Sequence, residues 1–268
     1  MKLAINYSPA AAALYQEERI QCDYFKCPPW PWMVSEAEAL APVAVHFGLR
    51  AGAGKLHQTD WAKIDHFRAR TGTNYVNLHL EPDQADFPGL SADVPDPNDE
   101  RRVIDTLLAD IWAVVEHFGA ECVIVENVIY SGPQGRILRP ATEPEIIRRI
   151  VEETGCGLLF DISHARVSAH HFGLDEFSYI QQFPMHRLSE MHFAGIHKIN
   201  GELQDHLSAL PGDWQALDWA LENIQRGEWS HPHMLAFEYG GVGGFFENNC
   251  DPMIIAEQMP ILWEKVKM

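Results

Sequence analysis

Six apolar runs in this chain each end on an imidazole or a carboxylate. Pro42-Val-Ala-Val ends on His46, Tyr75-Val-Asn-Leu on His79, and Cys122-Val-Ile-Val on Glu126. Gly157-Leu-Leu-Phe ends on Asp161, Leu188-Ser-Glu-Met on His192, and Met234-Leu-Ala-Phe on Glu238. His164 follows Asp161 by three positions, and the pair Asp205-His206 lies in the loop after the His192 run. One such residue alone reads as a hydrogen-bonded core group; six in series point to ligands around a common mouth. The set His46, His79, Glu126, Asp161, His164, His192, Asp205, His206 and Glu238 supplies five imidazoles and four carboxylates. Mixed nitrogen and oxygen donors suit Zn²⁺, Fe²⁺ or Mn²⁺, and the absence of thiolates argues against a closed structural zinc site. Nine donors are too many for one ion. They fit two or three divalent ions with positions left for water and substrate. Adjacent residues rarely both reach one ion, so one of Asp205 and His206 is expected to bind metal. The other would support it or act as general base. Glu126, Glu238 and His206 are the expected proton-handling residues.

Eight strand-like segments can position these groups: Leu3–Tyr7, Ile20–Lys26, Val43–Phe47, Tyr75–Leu80, Cys122–Asn127, Gly157–Ile162, Arg187–Phe193 and Met234–Tyr239. They are apolar runs rich in Val, Ile, Leu and Phe rather than strict alternations, as expected for strands covered on both faces. Helical patterns intervene at Ala10–Arg19, Thr59–Arg70, Asp99–Phe118, Glu143–Glu153, Trp214–Arg226 and Pro252–Lys265. In the longest, Val103, Leu107, Leu108, Ile111, Val114 and Val115 form an inward stripe. Thr142 and Asp213 are expected as N-caps. Regular alternation of this kind predicts an α/β fold, a single-domain (β/α)₈ TIM barrel over residues 1–268. The C-terminal ends of its strands would share one face, where such barrels hold their active sites. Two Pro-rich stretches, Cys27–Trp32 and Pro82–Asp99, would lie on that face as irregular loops.

The bulk composition agrees. A chain of 268 residues that is 46% hydrophobic can bury a barrel core. Its formal charge of −18 makes phosphate backbones and anionic membranes poor partners, so neither nucleic acid nor membrane is expected. Five cysteines, an odd number with no C-x-x-C pair, suggest reduced thiols. No run reaches membrane-spanning length, and Asn6, Ser8 and Pro9 interrupt any signal-peptide core. A cytoplasmic enzyme is the expectation.

Other groups lie near the expected mouth. Lys26 and Arg50 could meet an anionic substrate group. Trp30 and Trp32 could form an apolar lip, and Asn127 could orient a ligand or bind substrate. Gly240-Gly-Val-Gly-Gly244 lacks phosphate-loop spacing and reads equally well as a flexible turn. His197, His170 and His171 are expected to be solvated or to support a ligand. His57, His66, His117, His186, His231 and His233 are expected to be structural.

The ligand order resembles that of the xylose-isomerase-like TIM-barrel superfamily, which includes sugar isomerases and epimerases and the three-zinc endonuclease IV enzymes. A closer resemblance is to the multinuclear non-haem iron-dependent oxidative enzymes, a bacterial family long uncharacterised. Three stretches carry it: Pro42-Val-Ala-Val-His-Phe-Gly-Leu-Arg-Ala-Gly52, Gly157-Leu-Leu-Phe-Asp-Ile-Ser-His-Ala-Arg-Val-Ser-Ala169 and Met191-His-Phe-Ala-Gly195. The likeness runs from about residue 42 to 240. The chain departs from that family at His164, where an Asn is usual. Its His197 falls one position later than the family's second His, and its Asp-x-His pair is compressed to Asp205-His206.

The oxidative resemblance implies two or three divalent ions, with iron favoured and zinc or manganese possible. It also implies O₂ activation on a small-molecule or peptide substrate, which family members often receive from a partner protein. The alternatives are a divalent-metal sugar isomerase or epimerase, with which His164 is compatible, and a metal-dependent hydrolase of the endonuclease IV type. The charge argues against DNA for the last.

Overall fold

The computed structural model describes residues 1–267. Its main sheet follows the strand order β3-β2-β1-β11-β8-β7-β6-β5-β4. The strands are β1 (Lys2–Asn6), β2 (Tyr24–Cys27), β3 (Val43–Val45), β4 (Leu49–Ala51), β5 (Val76–Leu80), β6 (Val123–Glu126), β7 (Gly157–Asp161), β8 (Leu188–Phe193) and β11 (Met234–Phe237). Every pairing within this sheet is parallel. The two ends of the order, β3 and β4, belong to one short stretch of chain, residues 43–51. That stretch pairs with β2 through its first part and with β5 through its second, which closes the sheet. The expected (β/α)₈ barrel is therefore formed, with its third strand broken in two.

The break is the seam of the barrel. His46 N–H still donates to the Cys27 carbonyl at 2.8 Å, but Phe47 and Gly48 turn out of the ladder and their backbone donors need another acceptor. Asn77 Oδ1, from β5, accepts from Phe47 N–H at 2.7 Å and Gly48 N–H at 3.0 Å. Gly48 has φ +54°, and a Cβ there would come 3.3 Å from the His46 ring, so glycine suits both the backbone and the imidazole.

The register explains how the strand ends form a ring. His79 pairs with Glu126, Asp161 with His192, and Asn6 with Lys26. Between these pairs the ladder slips by two residues, so that Glu126 lies opposite Leu159 and His192 opposite Ala236. A two-residue slip keeps each side chain on the same face, as a tilted barrel requires. The polar ends therefore all point inward. Their neighbours Phe25, Phe160, Phe193 and Phe237 point outward and are fully buried. Phe160 packs edge-on to Phe183 and Trp229, and Phe193 lies 5.3 Å from Trp214. Each such burial contributes roughly 1.5–3 kcal/mol.

The helices are α1 (Pro9–Gln16), α2 (Pro31–Glu38), α3 (Trp61–Thr71), α4 (Pro97–Phe118), α5 (Pro144–Thr154), α6 (Ile162–Phe172), α7 (Glu176–Ile180), α8 (Pro211–Gln225), α9 (Gly244–Asn248) and α10 (Pro252–Lys267). Several differ from the sequence reading. The second strand starts at Tyr24, not Ile20. Thr142 is not an N-cap: its hydroxyl donates to the Arg139 carbonyl, and Glu143 precedes the first turn of α5. Asp213 lies inside the first turn of α8 and reaches back to Leu210 N–H at 2.7 Å. The sequence pattern does not announce α6, because it begins directly at the end of β7 with no loop between them. The loop after β8 also folds, into an antiparallel hairpin of β9 (Gly195–Ile199) and β10 (Glu202–Leu207). Its tip, Asn200-Gly201, has positive φ at both residues, the requirement of a tight two-residue turn. Cys22 and Cys27 are both free thiols.

Candidate metal centre

At the C-terminal mouth the ring residues fall into three groups of converging donors. His46, His79 and Glu126 form one; Glu126, Asp161 and His192 form a second; His164, Asp205 and His206 form a third. Glu126 belongs to two of them. In the first group His46 Nε2 and His79 Nε2 are 3.1 Å apart, and Glu126 Oε2 lies 3.2 Å from His79 and 3.7 Å from His46. Ligands on one ion, with bonds of about 2.0–2.2 Å, are separated by roughly 3–3.5 Å. Asn77 Nδ2 contacts His46 Nδ1, so the residue that stitches the seam also fixes this ring.

The second group is the most buried. Glu126, Asp161 and His192 are each about 1% exposed or less. Glu126 Oε2, Asp161 Oδ2 and His192 Nδ1 are buried without any hydrogen-bond partner. His192 Nδ1 nevertheless lies 3.2 Å from Glu238 Oε1 and 3.4 Å from Glu126 Oε1. Its other nitrogen faces Glu190 Oε1 at 3.0 Å. Buried acceptors cannot be left facing each other at this cost, so a proton or a metal ion belongs among them. The residues therefore fit a cation-binding centre.

The third group depends on the hairpin. His164 Nδ1 donates to the Asn127 carbonyl at 2.8 Å, and His206 Nδ1 donates to the Glu238 carbonyl at 3.1 Å. Both Nε2 atoms then face Asp205 Oδ2, at 3.0 and 3.5 Å. A ring held through Nδ1–H by a carbonyl is the usual posture of a metal-binding histidine. Asp205 and His206 both point into the site because the β9–β10 ladder is irregular between Gln204 and Leu207 and His206 has φ +57°. That bulge removes the objection that neighbours rarely converge.

The charge balance points the same way. Burial alone would lower the His79 and His192 pKa values. Glu126 outweighs burial at His79 and brings it to about 9; Glu238 and Glu126 do so at His192 and bring it to about 10. Against the same penalty, Asp161 and Asp205 hold His164 well above its ordinary value. His46 goes the other way, pushed well below by burial and by Lys26. Burial raises Asp161. Without metal, protons on the imidazoles balance the carboxylates; with metal, the ions would displace them.

The remaining expected residues have distinct placements. Lys26 is buried and paired with Glu238, and it lines the cavity. Trp30 also lines it, stacks on Trp32 at 6.1 Å, and is 42% exposed. Arg50 turns to Asp86 and to the Glu81 carbonyl and is not part of the lining. Asn127 exchanges two 2.9 Å hydrogen bonds with the Asp161 backbone and so ties the ends of β6 and β7. His197 Nε2 donates to the Ser208 carbonyl of the hairpin at 2.8 Å. The cavity measures about 300 Å³. Its floor is His46, His79, Glu126, His164, His206 and Glu238, and Pro28, Trp30, Met33, Val242 and Phe246 form an apolar wall. Asn77 and Glu190 were not singled out from sequence. Each sits two residues before a ring member on the same inward face, which is the signal that could have found them.

Fold and site together define a (β/α)₈ TIM barrel with clustered groups able to hold metal ions, similar in fold to xylose-isomerase-like barrels. More narrowly, the chain belongs to the family described as RiPP precursor modification enzyme MbnB/TglH/ChrH, whose profile matches residues 20–229. It is similar to a UPF0276 protein of Rhizobium meliloti, 35% identical over 91 residues, or 32% of this chain and 29% of that protein. The matched stretch thus spans less than a third of that relative. A xylose isomerase domain protein from Alicyclobacillus acidocaldarius superposes with a TM-score of 0.56 at 16% identity, covering 100% of this chain and 99% of that one. A mannonate dehydratase from Streptococcus suis does so with 0.58 at 14%, covering 99% and 94%. At these identities the structural likeness speaks for the fold alone. No helix among the described residues is long and apolar enough to cross a membrane.

Proposed function

We propose that this protein is a multinuclear non-haem iron enzyme that oxidatively modifies a peptide or small-molecule substrate. The observation that carries the metal reading is the set of buried, unpartnered atoms on Glu126, Asp161 and His192. Membership of a family named for peptide precursor modification supports the oxidative reading. His46, His79, Glu126, Asp161, His164, His192, Asp205, His206 and Glu238 would hold two or three ions. Bound iron would supply the redox chemistry and the open positions for O₂ and substrate.

The chain's own residues do the rest. Glu126 and Glu238 sit on the cavity floor, where either can hold a proton from a substrate group. His206 lies at the rim of the same floor, braced by the Glu238 carbonyl. Lys26 offsets Glu238 and is the cavity's one lysine or arginine, suited to an anionic substrate group. Trp30 and Met33 keep water from one side. Arg50 and Asn127 act through Asp86 and Asp161, bracing the mouth rather than touching substrate. A partner protein delivering the peptide, and a cytoplasmic location, belong to this reading.

A second reading is a sugar isomerase or epimerase. It is favoured by two carboxylates, Glu126 and Glu238, on one cavity floor, since moving a proton between two positions needs a base near each. Metal analysis of protein purified without added metal separates the two. The oxidative reading expects two or three irons per chain and O₂ uptake on a cysteine-containing peptide. Zinc or manganese, with no O₂ uptake and turnover of a ketose, would replace it with the second.

A further inference from the structure

Below the ring, the barrel interior has a second tier, two residues earlier on most strands. It is small or apolar at Ala4, Ala44, Ile124, Leu159 and Ala236 and carries a neutral amide at Asn77, all inward by the ladder register. Glu190 of β8 is the tier's one carboxylate, and it is 5% exposed. Burying a charge here is costly unless partners hold it. Two do. His192 Nε2 lies 3.0 Å from Glu190 Oε1, and His233 Nε2 lies 3.5 Å from Glu190 Oε2. His233 is itself held by its Nδ1 against the Ser189 carbonyl at 2.5 Å.

A carboxylate cannot donate, so the proton in the His192–Glu190 contact belongs to Nε2. The nitrogen left over is Nδ1, the atom that is buried without a partner between Glu126 and Glu238. The opposite tautomer would set a bare Nε2 against Glu190 and turn an N–H into the ligand cluster. We propose that Glu190 is a positioning residue that fixes His192 as an Nδ1 donor and so decides whether the central group can hold a metal ion. This rests on the metal reading given above. When an ion takes the space that Nδ1 faces, the one remaining ring proton sits on Nε2, where Glu190 holds it.

The test compares Glu190→Leu and Glu190→Gln with the unaltered protein, each titrated anaerobically with Co²⁺ and with Fe²⁺. Bound metal is counted by mass spectrometry, the Co²⁺ absorption spectrum is recorded, and the melting of each metal-free protein is measured. Leu removes the acceptor; Gln keeps an oxygen that can accept from Nε2. We expect Glu190→Leu to weaken one ion's binding by about 10–100-fold and to alter the Co²⁺ spectrum. Its metal-free form should itself melt lower, because His192 Nε2–H and His233 lose their acceptor, so the metal count and the spectrum decide the role. Glu190→Gln should restore most of the affinity and the spectrum. A merely structural role would lower the melting of metal-free Glu190→Leu and leave the metal count and spectrum alone, and that result overturns the proposal. Equal failure of the Gln and Leu variants overturns it too. If the unaltered protein binds neither ion, the metal reading itself falls. If it binds them and Glu190→Leu binds them equally well, only the role of Glu190 falls.

Discussion

His164 and His206 come from different parts of the chain, yet each gives its Nδ1 proton to a backbone carbonyl and turns Nε2 to the same oxygen, Asp205 Oδ2. Neither ring can rotate away without breaking that backbone contact. Asp205→Ala should therefore remove one ion and leave the other groups loaded. The check is metal content by mass spectrometry beside an unchanged far-ultraviolet circular dichroism spectrum. An unchanged metal count would dissolve this group of ligands.

Metal loading should release protons. At pH 7 the metal-free protein holds protons on His79, with a pKa of about 9, and on His192, with a pKa of about 10. Both lie above the solution pH, so an entering ion must displace them. Each displaced proton makes affinity fall about tenfold per pH unit on acidification. Calorimetry in buffers of different ionisation enthalpy would count these protons. Affinity independent of pH between 6 and 8 would contradict the assignment of both rings as ligands.

The hairpin that carries Asp205 has almost no slack at its base. A Cβ on Gly195 would lie 1.9 Å from the Ser208 carbonyl oxygen, a backbone atom that cannot swing aside. Gly195→Ala should shift β10 and cost roughly 1–3 kcal/mol. Its chemical denaturation midpoint should drop together with the metal count. A loss of stability with full metal occupancy would mean that the hairpin tolerates the displacement.

At the outer rim, Trp30 is exposed and stacks on Trp32, which no core interaction requires. Trp30→Ala should change stability by less than about 0.5 kcal/mol. It should raise KM for a peptide or thiol substrate with little effect on kcat, as expected for a wall that binds ground and transition states alike. Steady-state kinetics beside thermal melting would test this.

Asn127 offers the opposite profile. Its paired hydrogen bonds to the Asp161 backbone are fully buried. Asn127→Ala should cost about 1–3 kcal/mol by orphaning both groups. It should also loosen Asp161, lowering metal occupancy in the central group. A stable, fully loaded Asn127→Ala would leave the residue without the bracing role given to it here.

Much of the centre was legible in sequence because a buried parallel strand is an apolar run, and the first polar residue after it marks the mouth. His46, Glu126, Asp161 and Glu238 follow that pattern, while the runs before His79 and His192 carry Asn77 and Ser189-Glu190 inside them. The hairpin was less legible. Asn200-Gly201 is a strong turn signal, but the strands beside it are polar and half-exposed, so they lack a burial pattern. The convergence of Asp205 and His206 rests on one left-handed backbone residue, which sequence does not announce for a histidine. Arg50 and Asn127 illustrate another limit. Proximity to a strand end says nothing about direction, and these two side chains turn to Asp86 and to the Asp161 backbone. Glu190 was hidden because a carboxylate inside a strand reads as an outward residue unless the register is known.

The broken third strand carries a further consequence. Barrel closure depends on Asn77 catching two backbone donors beside His46, the point where the ladder is least continuous. An ion held by His46, His79 and Glu126 would bridge that same gap from the other side, joining the chain across its weakest juncture. Breathing of the barrel and escape of that ion would then be one event. Amide exchange at Phe47 and Gly48 would slow on metal loading more than at any strand centre.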